Sequence, residues 1–143
     1  MSRDNDKALI RRSFAAAAET YDGMAELQRQ VACELLRRFP LKRPSGRVLD
    51  LGTGTGFLAA QMVSSTDIEP LVMDIALPML ATSRRKYPDI SMQRICGDAE
   101  QLPLKPHTID QLYSNLAFQW LQRPVDTFAD FKRVLTPSGR LVF

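Results

Sequence analysis

The chain has 143 residues, 45% of them hydrophobic, enough for the core of one ordinary globular domain and too many for a disordered or fibrous chain. Its formal charge of +3 is mildly basic and its cations are spread along the chain, so acidic partners are allowed while a nucleic-acid-binding block is not indicated. No apolar run is long enough to span a membrane and MSRDNDK lacks a secretory hydrophobic segment, so a cytoplasmic protein is expected.

In chain order, Asp4 or Asp6 can cap a first helix in which Ile10, Phe14, Ala17 or Ala18, and Tyr21 share one face. A second apolar stripe, Met24, Leu27, Val31, Leu35 and Phe39, ends at Pro40, with Arg37 and Arg38 in the last turn where cations suit the helix dipole. LKRPSGR then reads as a loop into a strand at Val48, and residues 1–46 are expected to form a helical segment ahead of a core at 47–143. Cys33 and Cys96 lie far apart with no C-x-x-C or histidine partner, so they read as reduced, partly buried thiols and no metal site is expected.

Val48 to Gly56, VLDLGTGTG, is a buried strand running into a glycine-rich turn that opens a helix from Phe57 to about Ser64. The bare backbone at Gly52, Gly54 and Gly56, with Thr53 among them, lets a ligand approach closely, and the N–H groups opening the helix face it. Leu71 to Asp74 is a second strand, followed by a helix with Pro78 in its first turn that Pro88 stops. Ser91 to Cys96 and Ile109 to Ser114 are further strands, separated by a loop that holds the single histidine, His107, expected at the surface. Pro124 opens a helix turning Val125, Phe128, Phe131 and Leu135 inward. Pro137-Ser138-Gly139 reads as a turn into a last strand, Arg140 to Phe143. Repeated βα units of this length predict a Rossmann-like, doubly wound α/β fold with a mostly parallel sheet.

A ligand of such a sheet lies at the carboxyl ends of the strands, where Asp74, Asp98 and Asn115 arrive together. Gly54, Gly56, Ala59 and Asp74 satisfy the dinucleotide pattern, yet Asp50, two residues before the first glycine, would repel a pyrophosphate and favour a cation. S-adenosylmethionine has an ammonium and a sulfonium and no phosphate. Asp74 is then suited to both ribose hydroxyls and Asp98 to the adenine amine, with Ile75, Met79 and Ala99 as apolar walls.

The run DLGTGTG, Asp74 within LVMDIALPML, GDAEQLPL from Gly97, and the closing FADFKRVLTPSGRLVF resemble successive motifs of the class I S-adenosylmethionine-dependent methyltransferases. SFAAAAETYDGMAELQRQVACELL at 13–36 and YSNLAFQWLQRP from Tyr113 resemble, more narrowly, the malonyl-acyl carrier protein O-methyltransferases of biotin synthesis. That resemblance implies methylation of the free malonyl carboxylate on an acyl carrier protein, leaving S-adenosylhomocysteine. It also implies an N-terminal segment folded over the cofactor that brings Tyr21 near the methyl group or the substrate carboxylate. Tyr21 could equally complete the apolar stripe with Ile10 and Phe14. Gln28, with Arg29, is implied at the methionine end, although a solvated helix face accounts better for Arg29; Gln119 and Trp120 are implied on the substrate side, although a lone tryptophan after a strand is often core.

A malonyl carboxylate is already ionised at neutral pH, so no general base is required, and none is evident. Basic pairs at Arg11-Arg12, Arg37-Arg38 and Arg84-Arg85-Lys86 could meet an acidic carrier protein, or be solvated helix faces. Members of the family continue beyond the strand at Arg140. The resemblance therefore implies a fold lacking its last strands, self-association through an open sheet edge, and weak or no methyl transfer by these 143 residues alone. A methyltransferase acting on another small-molecule acceptor, and a non-catalytic S-adenosylmethionine-binding module, stay open.

Overall fold

A computed structural model describes residues 3–18, 25–42 and 46–143. Two helices, α1 (Arg3–Ala17) and α2 (Glu26–Arg38), precede β1 (Val48–Leu51), α3 (Phe57–Ser65), β2 (Leu71–Asp74), α4 (Leu77–Lys86), β3 (Gln93–Cys96) and β4 (Ile109–Tyr113). A single 3-10 turn, Phe118–Trp120, then leads to α5 (Pro124–Val134) and β5 (Leu135–Val142). The five strands form one sheet in the order β3-β2-β1-β4-β5, and every pairing is parallel.

Alternate side chains of the strands enter two different cores, as the pleat requires. Leu49, Leu51, Met73 and Leu112 pack with Phe131 and Val134 of α5 on one face. Val48 and Tyr113 meet Ala32 of α2 and Leu58 and Met62 of α3 on the other, where Val72 also joins Ala59, Ala60 and Leu80. Each fully buried aliphatic or aromatic side chain contributes about 1.5–3 kcal/mol relative to exposure, so these two layers hold the sheet. The strand order reverses between β1 and β4, and a crevice opens there beyond the carboxyl ends of the strands.

Several expectations change. Leu27 and Phe39 are exposed, at 62% and 49%, and α2 docks through Ala32 with Leu35 and Leu36 beside it. Val125 is 83% exposed in the first turn of α5, and Val134 takes the inward place. β5 starts at Leu135 instead of Arg140: Ile109 pairs with Leu135 and Gln111 with Arg140, so Thr136 to Gly139 bulge out of a strand that continues on both sides. Cys33 and Cys96 are exposed free thiols. β3 begins at Gln93, two residues later than its apolar pattern predicts.

Candidate functional site

Gly52, Gly54 and Gly56 all have positive φ, at 72°, 57° and 90°. At Gly52 a Cβ would lie 2.4 Å from the Cβ of Ala117, and at Gly56 it would lie 2.5 Å from Ser83 Oγ, so both steric space and backbone conformation require glycine. The loop is tied to β2: the N–H groups of Gly52 and Thr53 both donate to the Met73 carbonyl, at 2.8 and 3.0 Å. The Gly54 N–H donates to Asp74 Oδ2 and the Ala76 N–H to Asp74 Oδ1, each at 2.9 Å. Asp74 is thereby oriented, and each of its oxygens keeps a lone pair for a ligand hydroxyl. Burial raises its pKa, while the N–H groups of Ala76 and Gly54 pull it back.

The crevice is a cavity of about 1030 Å³, counting its open mouth. Gly52, Gly54, Asp74, Ile75 and Met79 form its glycine-loop and β2 side. Asp98 and Ala99 line it from the loop after β3, while Asn115, Gln119 and Trp120 line it from the segment after β4. A recess of about 450 Å³ continues it under the glycine loop, lined by Asp50 and Thr53 and sharing Gln28, Gly52, Gly54 and Asn115 with the cavity. Gly56 lines neither space and instead caps α3. Tyr21 lies outside the described residues.

Asp50 is 1% exposed and accepts a hydrogen bond from Thr53 Oγ1 at 2.7 Å. Burial pushes its carboxyl up to about 7, opposed by the Thr53 hydroxyl and the Ala59 N–H and reinforced by the charge of Asp74. One N–H opening α3 is therefore met by Asp50 from within, so the helix start is less available to an anion than the sequence implies. Asn115 Nδ2 donates to the Gln28 carbonyl at 2.8 Å, which fixes the orientation of its amide. Asn115 Oδ1 and Gln28 Oε1 are buried and find no hydrogen-bond partner among the described residues. Two orphaned carbonyl oxygens and a buried carboxylate in one recess suit a ligand with an ammonium and would repel a pyrophosphate. This set of acceptors fits the ammonium of S-adenosylmethionine.

Two lining residues of consequence carry no expectation from the sequence. Lys7 reaches from α1 to Asp98 Oδ2 at 2.6 Å and Glu100 Oε2 at 2.5 Å. Glu100 Oε1 accepts the N–H groups of Gln122 and Arg123 at the start of α5. Burial opposes the charge on Glu100, but the Lys7 ammonium and those two N–H groups outweigh it and hold the carboxyl at about 2. A signal for Lys7 existed: it sits three and seven residues before Ile10 and Phe14, on their apolar face, and all three line the cavity. Phe14 also meets Trp120 edge-on, with ring centroids 5.6 Å apart. Among the basic pairs, Arg37 and Arg38 are taken by Glu34, at 2.7 and 2.6 Å.

Comparison with known proteins places this geometry. The chain is 43% identical over 141 residues to a malonyl-[acyl-carrier protein] O-methyltransferase of Methylococcus capsulatus, covering 96% of this chain and 51% of that protein. It is 40% identical over 135 residues to the biotin biosynthesis bifunctional protein BioHC of Cellvibrio japonicus, covering 94% and 26%. The chain thus spans about half, or less, of the length of these relatives. Among solved structures, a chain from the complex of a Haloferax volcanii methyltransferase activator with a methyltransferase superposes with a TM-score of 0.81 at 26% identity, covering 90% of this chain and 57% of that one. The phosphoethanolamine N-methyltransferase 2 of Haemonchus contortus in complex with S-adenosyl-L-methionine superposes with a TM-score of 0.69 at 26% identity, covering 77% and 26%. Residues 49–143, more than half of the chain, match the family model described as a methyltransferase domain, and the chain belongs to that family, with the class I S-adenosylmethionine-dependent methyltransferase fold.

Proposed function

We propose that the chain binds S-adenosylmethionine across the cavity and its recess, and that it serves methylation of the free carboxylate of malonyl-acyl carrier protein. The observation that carries the cofactor reading is the pair of buried acceptors without a partner among the described residues, Gln28 Oε1 and Asn115 Oδ1, in the recess that holds Asp50. They suit the ammonium of the methionine end. Asp74, held by Gly54 and Ala76, suits the ribose hydroxyls, and Asp98 the adenine amine, with Ile75, Met79 and Ala99 as its apolar walls. The acceptor reading is supported by the relatives named malonyl-[acyl-carrier protein] O-methyltransferase, at 36–43% identity.

Bound there, S-adenosylmethionine would supply an electrophilic methyl group on a sulfonium. A malonyl carboxylate is ionised at neutral pH, so the residues of the mouth need only exclude water and align it. Gln119 and the half-exposed Trp120 stand at that mouth, and Tyr21 is proposed as a hydrogen-bond donor to the carboxylate. Calorimetric titration with S-adenosylhomocysteine, with NAD as control, tests the cofactor. Saturable binding, weakened at least about tenfold by Asp74→Ala, is expected, because the change removes a doubly anchored carboxylate from the rim. Saturation by NAD instead, or binding indifferent to Asp74, would overturn it. Methyl transfer to malonyl-acyl carrier protein, measured against other small acids, tests the acceptor.

A further inference from the structure

We infer that Lys7 is a positioning residue for the adenine end of the site, its ammonium orienting the Asp98 carboxylate and fastening α1 across the cavity. This rests on the S-adenosylmethionine reading above. The Lys7 side chain is 22% exposed and that of Glu100 only 2%, so the pair is not the freely solvated kind that contributes little. Asp98 Oδ2 takes Lys7, and Asp98 Oδ1 takes the Glu100 N–H at 2.9 Å, which leaves the carboxylate aimed by two donors from different elements. Asp98 and Glu100 both point at the one ammonium. Without it, two carboxylates would face each other in a partly buried space, and Asp98 would turn away. Among the described side chains Arg123 Nε is the other cation at this spot, and at 3.5 Å from Glu100 Oε2 it serves that carboxylate and not Asp98.

The same lysine fastens α1 at one point. Further along the helix Phe14 lies edge-on against Trp120 and packs, beside Ala18, on Ala76 and Met79, so the helix spans the cavity from the loop after β3 to the turn after β4. Holding a lid in its ligand-ready position removes an ordering cost from binding. A neutral replacement at Lys7 therefore weakens cofactor affinity by loosening both Asp98 and the helix.

The test is titration of the wild-type chain, Lys7→Gln and Lys7→Arg with S-adenosylhomocysteine and with 5′-methylthioadenosine, alongside the melting temperature of each unliganded protein. Glutamine keeps a donor for the buried Glu100 but no charge, so the fold is expected to persist. It should bind both probes at least about tenfold more weakly, by the same factor, because the lysine acts at the end they share. Arginine should restore affinity to within about threefold. Unaltered affinity in a folded Lys7→Gln, a loss seen with S-adenosylhomocysteine alone, or no rescue by arginine overturns the inference. Failure of the wild-type chain to bind either probe overturns the cofactor reading instead.

Discussion

Asp50 is a carboxylate whose burial weakens the fold. With its pKa pushed up to about 7 by burial, the folded chain holds a proton that the unfolded chain releases near pH 4. The folded state therefore binds more protons between about pH 4 and pH 7, and the contribution of this group to stability falls as pH rises through that window, by up to roughly 4 kcal/mol. Above about pH 7 the residue is a buried anion waiting for a cation. Asp50→Asn keeps an acceptor for Thr53 Oγ1 and removes the charge. Denaturant unfolding should find the variant more stable than wild type at about pH 8, by on the order of 2 kcal/mol, with the advantage vanishing by about pH 5. Its affinity for S-adenosylmethionine should fall at about pH 8, where wild type carries the charge. A variant less stable than wild type at both pH values would show that Asp50 is not a strained anion. Its position before the glycines was legible in the sequence; its burial was not, because that depends on Thr53 and the start of α3 closing over it.

Elements meet at Glu100, which binds α1 through Lys7 and the start of α5 through two backbone N–H groups. Its folded pKa of about 2 lies below the ordinary carboxylate value, so its stabilisation is fully present above about pH 4.5 and is lost as pH falls through about 2. Glu100→Gln should cost about 3 kcal/mol at neutral pH, since it leaves Lys7 partly buried with half its counter-charge, and the difference from wild type should shrink toward about pH 2. Unfolding curves for the two proteins at neutral and acid pH decide this; a constant difference would mean that packing and not charge is lost. The strands and the glycine turn were readable because β-branched and aliphatic runs bounded by Gly and Asp have few other uses. Helix faces were legible only in part: Phe128 and Phe131 of α5 turn inward as expected, but α2 departs from its stripe. Leu27 and Phe39 continue the apolar period of α2, yet Ala32 is the residue close enough to the sheet to be enclosed. Pro137 and Gly139 imitate a turn, and only pairing with β4 reveals a bulge within β5. Lys7 was hidden in plain view, as a cation on an apolar face whose partners lie 91 and 93 positions away in the chain.

At the scale of the whole molecule, the sheet packs helices on both faces and has two edge strands among those described, β3, which pairs only with β2, and β5, which pairs only with β4. An unpaired parallel edge presents a row of backbone donors and acceptors. Beside β5 lies an aromatic cluster in which Phe143, 65% exposed, is 4.9 Å from Phe118 and 5.7 Å from Phe128 between ring centroids. Backbone hydrogen-bonding groups and an apolar anchor on one side of the molecule are the two requirements for strand addition by a second copy. The chain alone should therefore associate as its concentration rises, with a sedimentation coefficient that climbs accordingly. Phe143→Lys keeps the strand but places a charge where a neighbouring edge would dock, and it should shift association to at least about tenfold higher concentration. Phe131 is nearly fully buried under the same cluster, so Phe131→Ala is the contrasting change. It should cost about 3–5 kcal/mol of stability and leave the edge itself intact. If Phe143→Lys associates like wild type, the aromatic anchor is irrelevant and backbone pairing alone drives assembly. If neither protein associates at any accessible concentration, the twist of β5 and its bulge at Thr136 to Gly139 already protect the edge.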